Sequence, residues 1–483
     1  MKKVVSFFQK MLKRGVASSD EIQADVADLD NDDDDFDLVA TLLACFIVFR
    51  VLQRCYYFMK GHTQLFQYNP AEELEKWFKK EDIIVSDHEL KSPQDGVLLK
   101  YRRIGSGKRV VLLANGVGTA LYMWLPIFKN LLSLKPSVFT GEGGITILAP
   151  CYRGLFGSVV TKDTKAREAT IKRTPDTVTD PRYDDEVVIT MKRCAQDLVD
   201  ILEDAHANGL ADAAYQKKGD EDEGGGMFKD SAWRDGGKDY IHFECVLGWS
   251  MGAQCILTCM EKHPFISKKL LLLNPSSGRS LHTVFQPFLA LPYSITKYVG
   301  ALMRHLIVDR VRPLIRTTVW DTLKAISDSM VMRVLLEWMS FWAGFPPEQG
   351  AYFHAYLFDV FSCRQQTRGL LDLIVALDSP LESEGGLSGG YGYSGEQRKA
   401  FGGKSEQTSV ISGLTDFMTG IYHARILETN MNKRCTHKVY TMASHFLLLE
   451  WPELVSKDIL DLLDKAYDRN FVRVRGNSTL GSK

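Results

Sequence analysis

The sequence predicts an α/β protein: a mostly parallel sheet flanked by helices and interrupted once by a helical insertion. Three observations point to it. From residue 83, short apolar runs of strand length alternate with stretches of helical period. The alternation stops after residue 278, gives way to long helical runs, and resumes at residue 408. A Gly-Trp-Ser-Met-Gly sequence, residues 248–252, stands at one of the strand-to-helix junctions. The composition agrees, since 45% hydrophobic and 25% charged residues over 483 positions describe neither a disordered nor a fibrous chain. With 59 basic against 60 acidic side chains the net charge is −1, so nothing asks for a nucleic-acid partner.

The N-terminus precedes this body. Residues 1–16 carry five basic residues and no acid, and Val4, Phe8, Met11 and Leu12 fall on one helical face, as in a membrane-surface helix or a transit-like peptide. Residues 20–37 hold ten Asp or Glu and read as solvated linker, so 1–37 is expected to be disordered. Residues 38–49 (LVATLLACFIVF) are strongly apolar but too few to span a bilayer, which takes about 20 residues. Extension to 60 takes in Arg50, Gln53 and Arg54, whose arginines could snorkel, and Tyr56, Tyr57 and Phe58, which suit an aromatic belt. Three readings of 38–60 are open: a single anchor, an interfacial helix, or a helix packed on the core. Membrane attachment is the expectation, on an intracellular protein. The acids before this segment and Arg50, Arg54 and Lys60 after it favour a body facing the cytosol, although the basic residues 2–14 argue the other way.

The first part of the body, 83–278, opens with two strands across a turn at Ser92–Gly96. The run 109–115 is short and continuously apolar, as a strand buried on both faces is, and 144–150, 242–248 and 269–275 also read as strands. Helices are expected at 120–134, 185–208 and 251–263. After the insertion, residues 408–413 and 436–442 read as strands and 420–430 and 453–467 as helices, which makes 408–470 the second part of the same core. The insertion, 279–407, is read as a cap or lid. It ends in a Gly/Ser-rich stretch, 382–407, expected to be disordered, and a second Gly-rich charged loop lies at 217–238.

Nine cysteines are dispersed without a CxxC, and Cys255 and Cys259, one helical turn apart, lack partners at zinc-site spacing. A reducing compartment and no structural metal are expected.

The chemistry centres on G-x-S-x-G. On a strand-to-helix turn this pattern has a mechanical meaning: the turn is so sharp that only small residues fit two before and two after the serine, here Gly248 and Gly252. Ser250 is then presented at the carboxyl end of the sheet, beside a helix N-terminus that favours negative charge. The bland alternative is a helix cap. Gly386–Gly390 also matches, but its Ser388 lies in the Gly/Ser-rich loop, with no strand or helix to give the pattern force. A serine nucleophile needs a base, and the base an orienting acid. Among eleven histidines His445 is placed best, in a short loop after the last predicted strand, whereas His242 sits at the amino end of its strand, His263 ends a helix and His282, His305 and His354 lie in the insertion. Asp416 leaves the penultimate strand in the same manner, with Asp378 and Asp359 as alternatives. Two backbone N–H groups are needed for a developing oxyanion. Met251, directly after the nucleophile, is one candidate, and the Gly-rich turn Asn115–Gly118 offers Val117 first and Gly118 next.

With these residues in place the chain resembles the α/β-hydrolase fold enzymes of the serine branch over roughly 83–278 and 408–467. Asn115-Gly116 stands where that superfamily commonly has His-Gly, residues 152–158 (YRGLFGS) resemble its R-G-x-G-x-S stretch with one extra residue, and Ser444-His445-Phe446 resembles its histidine loop. Asn115 in place of the usual His and Cys151 where an Asp is common are departures. A Ser at the elbow, where the dehalogenase and epoxide-hydrolase branches have Asp, argues against those branches.

The expected function is therefore hydrolysis of a carboxylic ester in two acyl-transfer steps, without metal or organic cofactor. Ser250 attacks, His445 is the general base and Asp416 orients it. The segment 281–320 is rich in large apolar residues and carries Lys297, Arg304, Arg310, Arg312 and Arg316 against the single acid Asp309, which suits a lipid-facing lid and favours a lipid or long acyl substrate. An acyltransferase or thioesterase would use the same machinery. A membrane-associated scaffold without turnover would have no need of it.

Overall fold

The computed structural model describes residues 69–156, 158, 189–209, 243–262, 267–276, 302–314, 319–327, 347–361, 364–377, 408–416, 418–430, 435–441 and 443–464, with short pieces at 16–18, 215–216 and 240–241 and single positions in 44–55 and at 298 and 329. Ser388, Asp378, His242, His263, His282, both Gly-rich loops and most of 1–60 lie outside the described residues.

The strands are β1 (Val16–Ser18), β2 (Val85–Lys91), β3 (Leu98–Ile104), β4 (Arg109–Ala114), β5 (Ile145–Pro150), β6 (Phe243–Trp249), β7 (Ser267–Leu273), β8 (Thr408–Gly413) and β9 (Cys435–Tyr440). They form one sheet in the order β1-β9-β8-β7-β6-β4-β5-β3-β2. The six strands from β9 to β5 pair in parallel, and β3, β2 and the three-residue β1 are antiparallel at the two edges. This is the α/β-hydrolase fold, and the sheet resumes through β8 on the far side of the insertion, as the sequence pattern requires.

The unbroken apolar runs have a direct cause. In β4, Val110, Leu112 and Ala114 join the core on one face while Val111 and Leu113 join the core on the other. The residues of β7 divide in the same way, Leu270 and Leu272 against Leu271 and Leu273. Helices α3 (Met191–Ala207), α4 (Met251–Lys262) and α8 (Gly420–Asn430) cover the first face. The second is covered by α1 (Pro70–Lys80), α2 (Leu125–Leu134), the short α9 (Leu447–Glu450) and α10 (Pro452–Asp464). Strand ends shift by one or two residues, and two helix starts depart from expectation in a way that has a local cause. The helix expected at 185–208 begins at Met191, because the Thr190 hydroxyl accepts from Arg193 N–H and caps it. The helix expected at 120–134 opens with a 3₁₀ turn, Leu121–Trp124, before the proline at the first turn of α2.

The chain leaves β4, adds β5 on one side, and returns to place β6 on the other side of β4. A crevice opens at such a reversal, at the carboxyl ends of the strands. There the ends of β4 and β6 set the 115–118 turn beside Ser250, since a Cβ on Gly116 would lie 3.4 Å from Ser250 Cβ. The insertion supplies helical segments at 302–314 and α5 (Val319–Ser327), α6 (Pro347–Phe361) and α7 (Arg364–Ala376). It rests on the rim of the crevice: a Cβ on Gly369 would meet Gly154 O at 2.6 Å, and Tyr122 Oη donates to Asp359 Oδ2 at 3.2 Å.

Candidate active site

Ser250 adopts a left-handed backbone with φ of +53° between β6 and α4. That region is costly for a residue with a side chain, and it persists where neighbours over-determine it. Here Ser250 N–H donates to Leu273 O at 2.9 Å, and Ser250 O accepts from Ala253 N–H and Ser276 N–H, both at 3.1 Å. The flanking glycines are needed for space. A Cβ on Gly252 would lie 2.0 Å from Ala114 O, and one on Gly248 would lie 2.7 Å from Ile256 Cδ1.

Ser250 Oγ lies 3.0 Å from His445 Nε2, and His445 Nδ1 lies 2.9 Å from Asp416 Oδ2. All three residues are buried. A carboxylate can only accept, so Nδ1–H donates to Asp416 and leaves Nε2 of the neutral ring to accept the serine proton. The serine–imidazole–carboxylate chain thus joins the ends of β6, β8 and β9, which neighbour the crevice.

The acid is braced. Asp416 Oδ1 accepts from Met418 N–H at 2.8 Å and Thr419 N–H at 2.9 Å, and the Thr419 hydroxyl lies 2.9 Å from Oδ2. Burial pushes this carboxyl up, but the charge and hydrogen bond of His445 and the two N–H donors outweigh it and hold it below the ordinary carboxylate range. His423, buried beside it, is pushed down to about 4 by burial and stays neutral, so no second cation competes for Asp416.

The 115–118 turn closes with Thr119 N–H and Thr119 Oγ both donating to Gly116 O, and Gly118 takes φ of +65°. Asn115, in place of a histidine, accepts from Trp124 Nε1 at 2.7 Å, and its backbone carbonyl accepts from Tyr152 Oη at 2.9 Å. Among the described residues, no hydrogen bond engages the N–H groups of Met251, Val117 or Gly118. Cap residues close over this turn, as a Cβ on Gly118 would lie 2.6 Å from Leu370 Cδ1 and 2.7 Å from Tyr356 Oη. From α6, the ring of Phe353 also meets Phe446 edge-on with centroids 4.2 Å apart, directly beside His445.

Three positioning residues carry no sequence signal of the kind that marks a nucleophile elbow. The Asn274 amide donates to Ser444 O and His445 O, each at 2.9 Å, and Trp249 Nε1 donates to His445 O at 3.1 Å. Thr419 reaches Asp416, Asn274 O and His445. Only the place of Asn274, at the end of an apolar strand and before a proline, could have flagged it.

The remaining candidates sit elsewhere. Asp359 accepts from Tyr122, and His305 pairs with Asp309 on the exposed face of the cap at 2.6 Å. His354 lies on α6. Among the described residues there is no cluster of three or more His, Cys, Asp or Glu able to hold a metal ion.

No family model matches the sequence, and no curated protein does. Among solved structures the chain is similar to a hydrolase from Pseudomonas aeruginosa PA01, with 16% identity and a TM-score of 0.43 over 79% of this chain and 99% of that one. It is also similar to the enol-lactonase from Burkholderia xenovorans LB400, with 16% identity and a TM-score of 0.44 over 78% and 100% of the two chains. A third is the bromoperoxidase from Bacillus anthracis, at 13% identity and a TM-score of 0.45 over 79% and 100%. Function on a fold is set by the residues of its site.

Proposed function

We propose that the protein is a serine hydrolase that cleaves a carboxylic ester through an acyl-enzyme. The observation that carries this reading is the unbroken chain Ser250 Oγ–His445 Nε2 and His445 Nδ1–Asp416 Oδ2, at 3.0 and 2.9 Å, on a strained elbow. The proton of Ser250 passes to His445 Nε2 as Oγ bonds to the carbonyl carbon. The imidazolium so formed is stabilised by the Asp416 carboxylate, and the same proton is then given to the leaving alcohol. Met251 N–H, at the start of α4, together with Val117 or Gly118 N–H, accounts for the oxyanion. Water enters by the reverse path and frees Ser250.

For the substrate we propose a lipid or another long acyl ester, met at a membrane surface. The roof over Ser250 is aromatic and aliphatic, formed by Phe353, Tyr356 and Leu370 with Phe446. Large apolar side chains are also exposed on two segments of the chain: Ile47, Val48, Val51 and Leu52 before the body, and Tyr298, Leu302, Leu306, Val311 and Leu314 in the cap. Tyr298, Leu302 and Leu306 recur at a spacing of four, and Arg304 and Arg310 are exposed in the same segment. Apolar residues interleaved with cations suit an anionic bilayer surface. Among the described residues no helix is long and apolar enough to cross a membrane, and a surface-lying attachment needs none.

The test is labelling of the purified protein by a fluorophosphonate. Ser250 should react, Ser250→Ala should not, and Ser388→Ala should label like the wild type. A well-folded wild type that stays unlabelled in the presence of lipid would falsify the hydrolase reading.

A further inference from the structure

The 115–118 turn offers two donors beside Ser250, Val117 N–H and Gly118 N–H, and its hydrogen bonds tell them apart. A trans peptide is planar, so the carbonyl of one residue and the N–H of the next point in opposite directions within one plane. Whatever grips the carbonyl therefore aims the N–H. Gly116 O shares its plane with Val117 N–H, and it accepts twice, from the Thr119 hydroxyl at 3.0 Å and from Thr119 N–H at 3.3 Å. The side chain makes the shorter bond.

The plane before it is anchored as well. Asn115 O accepts from Tyr152 Oη at 2.9 Å, and the Asn115 side chain accepts from Trp124 Nε1 at 2.7 Å. The plane after it is not: among the described residues no hydrogen bond engages Val117 O, which shares its plane with Gly118 N–H. Turn types I and II differ by a flip of that middle plane, and Gly118, with φ of +65°, stands on the positive-φ side. The pinned plane is also the one beside the nucleophile. A Cβ on Gly116 would lie 3.4 Å from Ser250 Cβ and 3.5 Å from Thr119 Oγ1, so the serine and the threonine hydroxyl flank Gly116 together. A carbonyl that already accepts hydrogen bonds polarises its peptide and makes the N–H a stronger donor.

We infer that Thr119 is a positioning residue: its hydroxyl grips Gly116 O and thereby aims Val117 N–H, rather than Gly118 N–H, at the oxyanion formed on Ser250. Tyr152 and Trp124 hold the start of the turn, so the grip of Thr119 acts on an anchored segment. This inference rests on the serine-hydrolase reading above.

The experiment uses the full chain with Thr119→Val, which exchanges the hydroxyl for a methyl, Thr119→Ser, which keeps it, and Thr146→Val as control. Thr146 Oγ1 donates to Gly107 O at 2.6 Å, a like bond at the opposite, amino ends of β4 and β5. Turnover of p-nitrophenyl octanoate, inhibition by heptyl trifluoromethyl ketone and thermal melting are measured on each. Ser250 Oγ adds to the carbonyl carbon of the ketone as the serine proton passes to His445, so the ketone oxygen becomes the oxyanion. Thr119→Val should lower kcat by about tenfold, part of the roughly 10²–10³ that loss of a whole donor costs. KM should change little, and the ketone should bind more weakly by the same factor as kcat falls. The pH profile should keep its shape, since His445 and Asp416 are untouched. Thr119→Ser should restore both constants, and Thr146→Val should melt lower yet react and bind the ketone as the wild type does. A folded Thr119→Val enzyme with wild-type kcat and ketone affinity overturns the inference. So does a loss of kcat that leaves ketone affinity unchanged, or one that Thr119→Ser shares. Thr119→Ala, with no methyl added, gives the same comparison if Thr119→Val does not fold. A wild type that is folded yet inactive and unlabelled by a fluorophosphonate overturns the hydrolase reading and this inference with it.

Discussion

The side-chain amide of Asn274 donates to the backbone carbonyl of His445 at 2.9 Å and to that of Ser444 at the same distance, while its own carbonyl accepts from Gly413 N–H at 2.7 Å. One buried side chain at the end of β7 therefore ties the loop that carries His445 to the strand that leads into Asp416. Asn274 itself holds a left-handed backbone, with φ of +41°. Asn274→Ala should leave these groups without partners at a cost of about 1–3 kcal/mol each where no water replaces them. The expected outcome is a lower melting temperature and a kcat reduced by about ten- to a hundredfold with KM little changed, since positioning acts on the reacting geometry. Asn274→Asp should be worse than Asn274→Ala, because a carboxylate facing two carbonyls can donate to neither. Steady-state kinetics and thermal melting on the three proteins decide it.

Substitution within the chain of three should follow a graded pattern. Ser250→Ala and His445→Ala remove the proposed nucleophile and the proposed base, so turnover should fall to background with the fold intact. Asp416→Asn keeps the shape but lets Nδ1 meet a donor, and a loss of about 10⁴-fold in kcat is expected from the wrong tautomer. Active-site titration with a slow ester measures all three, and normal turnover in any of them would overturn its assignment.

Stability should respond to pH in opposite senses at the two buried acids. Asp416 is held below the ordinary carboxylate range, so its contribution is fully present above the unfolded value of about 4 and is lost as pH falls through the lower folded one. Asp416→Asn should therefore show a flatter acid limb than the wild type. Glu450 is raised to about 7, so its contribution is fully present below its unfolded value and is lost as pH rises toward 7. Glu450→Gln should gain on the wild type across that interval. Urea midpoints between acid and neutral pH separate the two.

Two glycines with the same backbone conformation should behave differently. Gly118 and Gly141 both have positive φ, +65° and +71°, but a Cβ at Gly141 meets nothing within 4 Å, whereas one at Gly118 meets Leu370 and Tyr356. Gly141→Ala should cost only the backbone penalty, about 1 kcal/mol, and leave kcat unchanged. Gly118→Ala should cost more and lower kcat, because the cap must move off the turn that borders Ser250. Equal kinetics in the two variants would show that this turn takes no part in the reaction.

The exposed apolar face before the body offers a direct test of membrane attachment. Replacing Ile47, Val48, Val51 and Leu52 with glutamine removes it and leaves Arg50 in place. Flotation with anionic vesicles should recover the wild type with lipid and the variant mostly in solution. If both float equally, the cap face bearing Leu302 and Leu306 is the attachment site, or the charges alone suffice.

Much of this protein was legible in one dimension, for a physical reason. A parallel sheet covered on both faces favours strands that are apolar at consecutive positions, and Val110–Ala114, Cys245–Leu247 and Leu270–Leu273 show such runs in the sequence. The elbow at Ser250 was legible because its two glycines are demanded by clashes within a few residues of chain, and the loop positions of Asp416 and His445 followed from strand ends and chain order. Everything held by distant partners was hidden. Asn274 finds its acceptors 170 and 171 residues away and its donor 139 residues away, and Arg50, whose segment read equally as an anchor, an interfacial helix or a core-packed helix, is buried. Local sequence carries backbone geometry and the period of burial, because both are set by neighbours in the chain. The partners of a buried polar group are chosen only when the sheet closes, and only the tertiary structure records that choice.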